Sequence, residues 1–516
     1  MNSTTKWPSY TVIFSIILLT RDSLYSVTSA GSLLYPGGAL LLAGVLAFGS
    51  LLGGCGKKDA EVSPADPVNL TVWHYYNGPQ MAAFDTLVEE FNGTVGKEKG
   101  IYVASFSKGS VTELETAVMD SLEGKVGADP MPDLFSSYAD IAFQLVQSGA
   151  LANLSGYVTE EELSAYVADY VDEGRIGPDG ALMIFPVAKS TEIMMLNKTD
   201  WDVFAAATGA ELSQLATMEG VVEVSRSYYE WTDSLTPDVP DDGKAFYGRD
   251  AMANYFYTGA CQLGQELLTV EGDGARIRAD KEVFRKLWEN YYVPMVSGWF
   301  GAYGKFRSDD VKTGDLLAYT GSTASVGYFP SRVEGVEDTH PIEYLVLDAP
   351  IFQGGQKVVV QQGAGMVVTK SDERRERACV EFLRWFTQPE NNLVFGAGSG
   401  YLPVQKQAQQ ADTLRQVVSD RNLTINPITE ACLRHCMEQM GACTYYSPRV
   451  YANSSNLRKV LEYGLSDKVA ADLAAIEEAV AAGASRETAL KPYVSEEAFE
   501  TWYEEFTQRL AQVAAQ

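Results

Sequence analysis

Short apolar runs alternate with amphipathic stretches along the chain after residue 67. The runs at 69–76 and 100–107 are rich in β-branched and aromatic residues, and each precedes a stretch with apolar residues at helical spacing. Such alternation predicts strands followed by helices, and therefore mostly parallel sheets with helices on both faces. The sequence has no fixed-period repeat, which excludes a solenoid or a propeller.

Strand-like runs return later in the chain, separated by long helical stretches. They lie at 132–136, 316–326, 342–349 and 358–369. The segment 201–298 is mainly helical, and the Ala- and Glu-rich stretch 469–515 predicts two terminal helices. We expect these terminal helices to pack on the outside of a domain.

The first 54 residues contain two apolar runs, and the second ends at Leu52-Gly53-Gly54-Cys55. Small residues directly before a Cys resemble the bacterial lipobox, in which the Cys receives a lipid and becomes the mature N terminus. A diacylglyceryl group supplies two chains, which suffice for stable anchoring. We therefore predict a lipoprotein signal segment at 1–54, lipidation of Cys55 and a flexible tether at 55–67. An uncleaved signal-anchor helix is the alternative.

The charge of the chain restricts its partners. It has 516 residues, 46% of them hydrophobic, with 68 acidic and 40 basic side chains and a formal net charge of -28. The hydrophobic content indicates globular domains with real cores, and the negative charge argues against a nucleic-acid binder. After residue 54 no apolar run approaches the roughly 20 residues that cross a bilayer, which argues against an integral membrane carrier.

Five cysteines follow Cys55, an odd number, so at least one thiol is predicted to be unpaired. Cys432, His435, Cys436 and Cys443 are close in sequence, but no second CxxC or HxxxH motif accompanies them. We therefore predict no metal site. A disulfide between two of the cysteines in this group is favoured over a zinc ion.

Six segments spread over about residues 68–405 carry a resemblance to a known family. They are VNLTVWHYY, PDLFSSYADIAFQLVQSGALANL, IFPVAKSTEIMMLNKTDW, LLAYTGSTASVGYF, VVVQQGAGMVVTKSDERRERACVEFLRWFTQPE and GSGYLPV. Together they resemble the extracellular solute-binding proteins of ABC importers, the broad family that includes maltodextrin-binding and glycerol-phosphate-binding proteins. The segments occur in the family's order, and the lipobox also fits the family.

The resemblance implies a fold and a function. The fold would be α/β, two-lobed and periplasmic-binding-protein-like (type II-like), with a hinge of crossing segments near 186–190, 345–351 and 389. Lobe one would comprise 68–187 plus 351–388, and lobe two 188–350 plus 389–516. The function implied is a monomeric, lipid-anchored receptor on the extracellular face of the cytoplasmic membrane. It would deliver a carbohydrate to an ABC permease, with no cofactor and no enzymatic activity.

Ligands of open α/β sheets bind beyond the carboxyl ends of strands, so the loops after the predicted strands should face the cleft. Aromatic rings there can stack on sugar rings, hydroxyls and carboxylates can bond sugar hydroxyls, and glycines let the backbone approach a ligand. The alternatives are core packing, a helix cap by a serine, a solvated hinge and a ligand-free bulge. The candidate ligand-binding residues are Trp73, Tyr75, Tyr76, Ser137, Tyr138, Asp140, Lys189, Tyr319, Gly321, Ser322, Gln362, Gly363 and Tyr401.

Other functions are compatible with the sequence. The same fold could bind an oligopeptide or a polyol phosphate, or could serve a sensor kinase. A secreted glycan-cleaving enzyme is a remote alternative, because adjacent carboxylates such as Asp309 and Asp310 could supply an acid and a base. The sequence does not identify the ligand.

Overall fold

The computed structural model describes residues 62–271, 274–335, 339–439 and 441–515. The predicted signal segment, Cys55 and the start of the tether lie outside the described residues. The strands are β1 Val68–His74, β2 Ile101–Ser107, β3 Leu134–Ser137, β4 Glu192–Asn197, β5 Tyr247–Arg249, β6 Leu268–Glu271, β7 Gly274–Ile277, β8 Ala318–Ser322, β9 Arg332–Glu334, β10 Thr339–Pro341, β11 Tyr344–Asp348, β12 Val358–Val360, β13 Gly365–Val368 and β14 Thr444–Tyr446.

Helices surround these strands, and none of the described helices is long and apolar enough to cross a membrane. They are α1 Gly78–Gly93, α2 Val95–Lys99, α3 Val111–Leu122, α4 Ala139–Gln147, α5 Glu160–Leu163, α6 Ala168–Asp172, α7 Lys198–Thr208, α8 Met218–Asp233, α9 Met252–Gln262, α10 Lys281–Leu287, α11 Val293–Val296, α12 Arg307–Thr313, α13 Glu373–Phe386, α14 Pro389–Ser399, α15 Ala411–Asp420, α16 Pro427–Gln439, α17 Ser454–Ala481, α18 Arg486–Leu490 and α19 Glu496–Ala514.

The first lobe is built on the sheet β13-β3-β1-β2. Strand β1 pairs in parallel with β2 and β3, and β13 pairs antiparallel to β3. Gly78, with a φ of 49°, turns the chain after β1, and Pro79 follows in the first turn of α1, where its missing N–H costs nothing. The helices cover the sheet and bury its aliphatic side chains, among them Val72 at 0% exposure.

The second lobe is built on the sheet β11-β4-β8-β5, in which β4 runs antiparallel to both of its neighbours. Successive side chains of β4 face opposite sides, as a strand requires. Met194 and Leu196 pack in a core with α8, α9, α17 and α19. Ile193 and Met195 pack in a second core with α16. Strand β4 is therefore buried on both faces.

The stretch 358–369, predicted as one strand, is two strands in different sheets. Strand β12 pairs with β14, whereas β13 joins the sheet of the first lobe. Gly363 lies between them with a φ of 92°, a conformation that favours glycine. Phe352 still packs in the second-lobe core. This packing favours a crossing between lobes at 361–364, later than the predicted one; the predicted lobe boundaries stay a prediction.

Three chain segments meet where the lobes join, and we call them the hinge: residues 187–191, 360–364 and 399–404. The Ser190 N–H donates to the Gln362 carbonyl at 2.9 Å, and the Gln362 N–H donates back at 2.8 Å. Lys189 and Leu402 exchange a second pair of backbone hydrogen bonds, at 3.0 and 2.6 Å. The segments thus form a small ladder that satisfies their backbone groups.

The C-terminal helices differ from the prediction. Helix α17 begins at Ser454, not near residue 469, and its first turns lie between the two lobes. A hydrogen bond of 3.1 Å from the Gln144 amide in α4 to the Ser455 hydroxyl links the first lobe to this helix. These first turns precede the stretch 469–515, whose packing on the outside of a domain stays a prediction.

Candidate functional site

A cavity of 400 Å³ lies between the lobes. This volume falls in the range of roughly 300–1,000 Å³ that is usual for small-molecule sites. Its first-lobe wall is formed by α3 and the start of α4, its second-lobe wall by α9, the loop 447–450 and α17, and its floor by hinge residues 360–362. We call it the interlobe cavity.

The first-lobe wall presents Thr112, Glu115, Tyr138 and Asp140. Helix α3 begins at the Ser110 cap, whose hydroxyl accepts from the Glu113 N–H at 3.2 Å. Tyr138 and Asp140 follow β3 directly, so they lie at the carboxyl end of a parallel strand, where ligands of such sheets bind. Of these four residues, Tyr138 and Asp140 are among the candidates predicted from the sequence, and Thr112 and Glu115 are not.

Burial and charge raise the pKa of the Glu115 carboxyl to about 7. Loss of water around the group is the largest cause, followed by the like charge of Asp140. Lys459 and Arg458, from the opposite wall, act against this rise. Burial also raises the pKa of Tyr138 well above its usual value, so its hydroxyl remains a donor.

The second-lobe wall presents Asn254, Tyr257, Arg458 and Lys459. The Arg458 guanidinium donates to the Asn254 side-chain oxygen at 3.2 Å. The Asn254 amide donates to Glu192 at 2.9 Å, and Arg249 pairs with the same carboxylate at 2.8 Å. A chain of hydrogen bonds therefore positions Arg458 from inside the lobe.

The N terminus of α9 also reaches the cavity, but it is already capped. The Glu462 carboxylate accepts from the N–H groups of Met252 and Ala253 at 3.1 and 2.9 Å. A helix N terminus attracts anions, and here a side chain of the protein supplies the anion. Ala251, which precedes α9 and lines the cavity, has a φ of 52°, a strained conformation of the kind that gathers at functional sites.

Glu173 connects the cavity to the hinge. Its carboxylate lies in the lining and accepts from the Lys189 ammonium at 2.9 Å and from the Gln361 amide. Lys189 also donates to the Gly363 carbonyl at 2.9 Å. One ion pair thus joins the first lobe to two of the three hinge segments.

Of the candidate residues predicted from the sequence, the structure brings Tyr138, Asp140 and Gln362 to the cavity lining. Tyr75 and Tyr401 lie behind them, with their hydroxyls 3.1 Å apart, and the Tyr75 ring stacks on Tyr138 at 6.3 Å. Tyr76 is fully buried. The two tyrosines that follow β1 therefore support the wall from the core.

The other candidates stand apart from the described lining of the cavity, and most have a structural role. Trp73 is buried under the Lys108 ammonium, which is 3.7 Å from the ring centre. Ser137 does not cap α4, so that alternative is wrong. Lys189 is only 2% exposed and is held by Glu173, which excludes a solvated hinge face.

The remaining candidates lie on β8 and in the hinge. Tyr319 is buried and stacks on Phe329, and a side chain at Gly321 would meet the Tyr319 ring. Ser322 caps the following 3-10 turn by accepting from Ala324 at 3.2 Å. Gly363 shapes the hinge. The ligand contacts of all the candidates stay a prediction.

Sequence reasoning missed the second-lobe wall, because it looked for ligand residues at strand ends and these lie on helices. The missed lining residues include Asn254, Tyr257, Ser455, Arg458, Lys459 and Glu462 of the second-lobe wall, and Glu115 and Glu173 of the first lobe. Among the described residues no group of three His, Cys, Asp or Glu could hold a metal ion. The five described cysteines are free thiols, so the structure lacks the favoured disulfide.

The carboxylates suggested for a glycan-cleaving enzyme do not form an acid–base pair. Asp310 is 2% exposed and lies 2.5 Å from the Arg307 guanidinium. Asp309 accepts from the Phe306 N–H at the start of α12, 3.2 Å away. Both therefore organise a loop outside the lining of the interlobe cavity.

Comparison with known proteins agrees with this architecture. The sequence pattern of the bacterial extracellular solute-binding protein family matches residues 86–422. A search of curated proteins finds no match. Among solved structures, the cyclic alpha-maltosyl-1,6-maltose binding protein of Arthrobacter globiformis is 20% identical, with a TM-score of 0.58 over 86% of this chain and 100% of that one.

Two further structures show the same fold. UgpB of Mycobacterium tuberculosis, in complex with glycerophosphocholine, is 16% identical, with a TM-score of 0.59 over 86% of this chain and 98% of that one. The maltose/maltodextrin-binding domain MalE of Bdellovibrio bacteriovorus, bound to maltotriose, is 13% identical, with a TM-score of 0.58 over 86% and 100%. The predicted two-lobed α/β fold is thus confirmed, and the chain belongs to the bacterial extracellular solute-binding protein family.

Proposed function

We propose that this protein is a lipid-anchored receptor that binds a carbohydrate in the interlobe cavity and delivers it to an ABC permease. The observation that carries the proposal is the cavity itself, because its lining comes from both lobes and from the hinge. A solute that contacts all three stabilises the closed arrangement of the lobes, which is the state a permease can recognise. No chemical step on the solute is required.

The lining suits a polyhydroxyl solute. Tyr138 and Tyr257 lie on opposite walls and offer rings for the C–H faces of sugars and hydroxyls for hydrogen bonds. Asp140 and Glu115 can accept from sugar hydroxyls, and the side-chain amide of Gln362 on the floor can bond them too. The sugar-binding proteins of this fold support the same assignment.

A polyol phosphate is the second candidate, and one observation favours it. Within the described chain neither Arg458 nor Lys459 has a carboxylate within 4 Å, so both could bind a phosphate oxygen. UgpB, which has the same fold, was solved with glycerophosphocholine. Against this candidate, Glu462 already occupies the anion site at the N terminus of α9.

Binding distinguishes the two candidates. Calorimetric titration and thermal unfolding of the full chain would compare maltose, maltotriose, glycerol 3-phosphate and glycerophosphocholine. A bound solute at about a hundred times its Kd stabilises the protein by about 2.7 kcal/mol. We expect a sugar to bind, and Tyr257→Ala to weaken it by about tenfold or more, because a ring contact is worth about 0.5–1.5 kcal/mol beyond its buried area.

Tyr102→Ala is the matched control, because this exposed tyrosine lies on β2 away from the cavity lining. It should leave the affinity unchanged. Binding of glycerophosphocholine alone would replace the carbohydrate assignment with the second candidate. Binding of none of the four solutes, or conversion of a sugar into a product, would contradict the proposal.

The lipid anchor has its own test. Cells grown with a labelled fatty acid should incorporate label into the protein, and Cys55→Ser should abolish the incorporation and release the protein from the membrane. Label that persists in the Cys55→Ser variant would contradict lipidation at this residue.

A further inference from the structure

The charged side chains of the interlobe cavity are divided by sign between its walls. On the first-lobe side the charged residues are Glu115, Asp140 and Glu173, of which Glu173 is paired with Lys189, and no basic residue of the described chain belongs to the lining on this side. On the second-lobe wall Arg458 and Lys459 face them, together with Arg449 at the rim. The two walls therefore carry opposite charge.

Arg449 at the rim lies 3.7 Å from Glu266, but the other unpaired charges are not neutralised on their own wall. Among the described residues Glu115 has no hydrogen-bond donor, and Asp140 accepts only from the adjacent Ile141 N–H at 2.9 Å. Arg458 donates to the neutral Asn254 side chain. The one acidic residue on the basic wall, Glu462, is engaged as the cap of α9. The unmatched charges thus face each other across the cavity.

The walls are close enough for this attraction to matter. The hydrogen bond between Gln144 and Ser455 joins α4 to α17 beside the cavity. Glu115 is partly withdrawn from water, and the opposite wall acts on its pKa. Opposite charges attract more strongly where water is partly excluded, and salt screens them within a Debye length of about 10 Å at 0.1 M and about 3 Å at 1 M.

We propose that the two walls form an electrostatic clamp, in which Glu115 and Asp140 attract Arg458 and Lys459. The attraction draws the lobes together in the absence of ligand. The same charges select solutes that present hydrogen-bond donors to the first lobe and acceptors to the second. The selective part rests on the proposed function; the attraction between the lobes does not. The chain of hydrogen bonds from Arg249 through Glu192 and Asn254 holds Arg458 in place for both tasks.

A ligand-free distance measurement tests the clamp. Spin labels at Glu123→Cys, at the end of α3, and at Glu478→Cys, in α17, report the separation of the lobes by pulsed electron resonance. Cys55, Cys261 and Cys443 are replaced by Ser so that only the two introduced thiols react. At pH 8, where Glu115 is ionised, raising NaCl from about 0.1 M to about 1 M should shift the distances toward longer values in the otherwise unaltered chain.

Two double variants should remove this response, each from one wall. The first-lobe variant combines Glu115→Gln with Asp140→Asn, and the second-lobe variant combines Arg458→Gln with Lys459→Gln. Both should show the longer label-to-label distances already at low salt. A fourth protein exchanges the charges of the two walls and should restore the short distances. It combines Glu115→Lys, Asp140→Lys, Arg458→Glu and Lys459→Glu. The control is Lys312→Gln with Glu334→Gln, an exposed pair 3.2 Å apart within the second lobe, which should leave the distances unchanged.

The clamp would be overturned if the distance distribution did not change with NaCl concentration. It would also be overturned if the control variant lengthened the distances as much as the wall variants do. The selective part is tested by titrating maltotriose and glycerophosphocholine. Whichever binds should lose about tenfold or more in affinity in both wall variants, because each variant removes hydrogen bonds between the solute and charged groups, which are stronger than those to neutral groups. Unchanged affinity in the wall variants would contradict the proposed selection of solutes. Binding of neither solute would contradict the proposed function, and the distance measurement would then be the test of the attraction between the walls.

Discussion

Replacing Glu115 by Gln should stabilise the protein at alkaline pH. Glu115 is the carboxyl on the cavity wall whose pKa burial and the nearby Asp140 raise to about 7, from an ordinary value of 4.5. The folded protein therefore holds this proton more tightly than the unfolded chain does. Between about pH 4.5 and pH 7 the wild-type protein loses stability as the pH rises, because folding then requires a charged group to be kept from water. Glutamine removes that requirement.

The size of the effect follows from the two pKa values. Each pKa unit corresponds to 1.36 kcal/mol, so the interval between 4.5 and about 7 gives at most about 3 kcal/mol at pH 8. Glu115 is only partly buried, and water screens part of this cost. We expect the Glu115→Gln variant to gain about 2 kcal/mol over the wild type at pH 8 and under about 1 kcal/mol at pH 5.

Urea unfolding of both proteins at pH 5 and pH 8 measures the difference directly, since other groups titrate alike in the two chains. Glu113→Gln is the control, because Glu113 is an exposed carboxylate on the same helix. It should give no gain at either pH. The reasoning would be refuted if Glu115→Gln were no more stable than the wild type at pH 8, or if its advantage did not grow with pH.

Three substitutions test the hinge and the support of the second-lobe wall. Lys189→Met leaves the Glu173 carboxylate, which is only 11% exposed, without its cation and should lower the free energy of unfolding by about 3–5 kcal/mol. Adding the Glu173→Gln change should restore much of this loss. Arg249→Met should cost a similar amount, about 3–5 kcal/mol, because Glu192 is only 7% exposed; an unchanged urea midpoint would show that the pair is not needed. Gly363→Ala should lower the free energy of unfolding by about 1–3 kcal/mol, because its Cβ would lie 2.7 Å from the Ala188 carbonyl at a φ of 92°. The control Gly354→Ala, at a φ of 71° with open space around it, should lower it less. Equal losses of stability would contradict the steric explanation.

Much of the first lobe could be predicted from the sequence. The β-rich runs at 69–76 and 100–107 match β1 and β2 to within two residues, since each strand is followed by an amphipathic helix that covers it. The stretch 358–369 could not be divided in the same way. Both ends of the stretch have strand character, and the positive φ of Gly363, which depends on contact with the other hinge segments, separates β12 from β13.

Prediction of the site from the sequence is limited in the same way, because part of the site depends on tertiary contacts. Strand ends indicated Tyr138 and Asp140, which line the cavity, whereas Tyr75 and Tyr76, just beyond the last residue of β1, are both buried in the core. Arg458 and Lys459 carried no signal, because a helix that lies far along the chain from the strands of a sheet can reach the cleft only through tertiary packing. Interlobe contacts of this kind join residues that are hundreds of positions apart, as Gln144 and Ser455 are.

The central claim is that a solute binds between the lobes and contacts both. Hydrogen–deuterium exchange of the full chain, with and without saturating maltotriose, tests it most directly, because protection reports where backbone amides become less accessible. We expect slower exchange in α3, in the first turns of α17 and in residues 360–364. Exchange in the short strands β9 and β10 should not change. Protection confined to one lobe, or no protection at all, would contradict it.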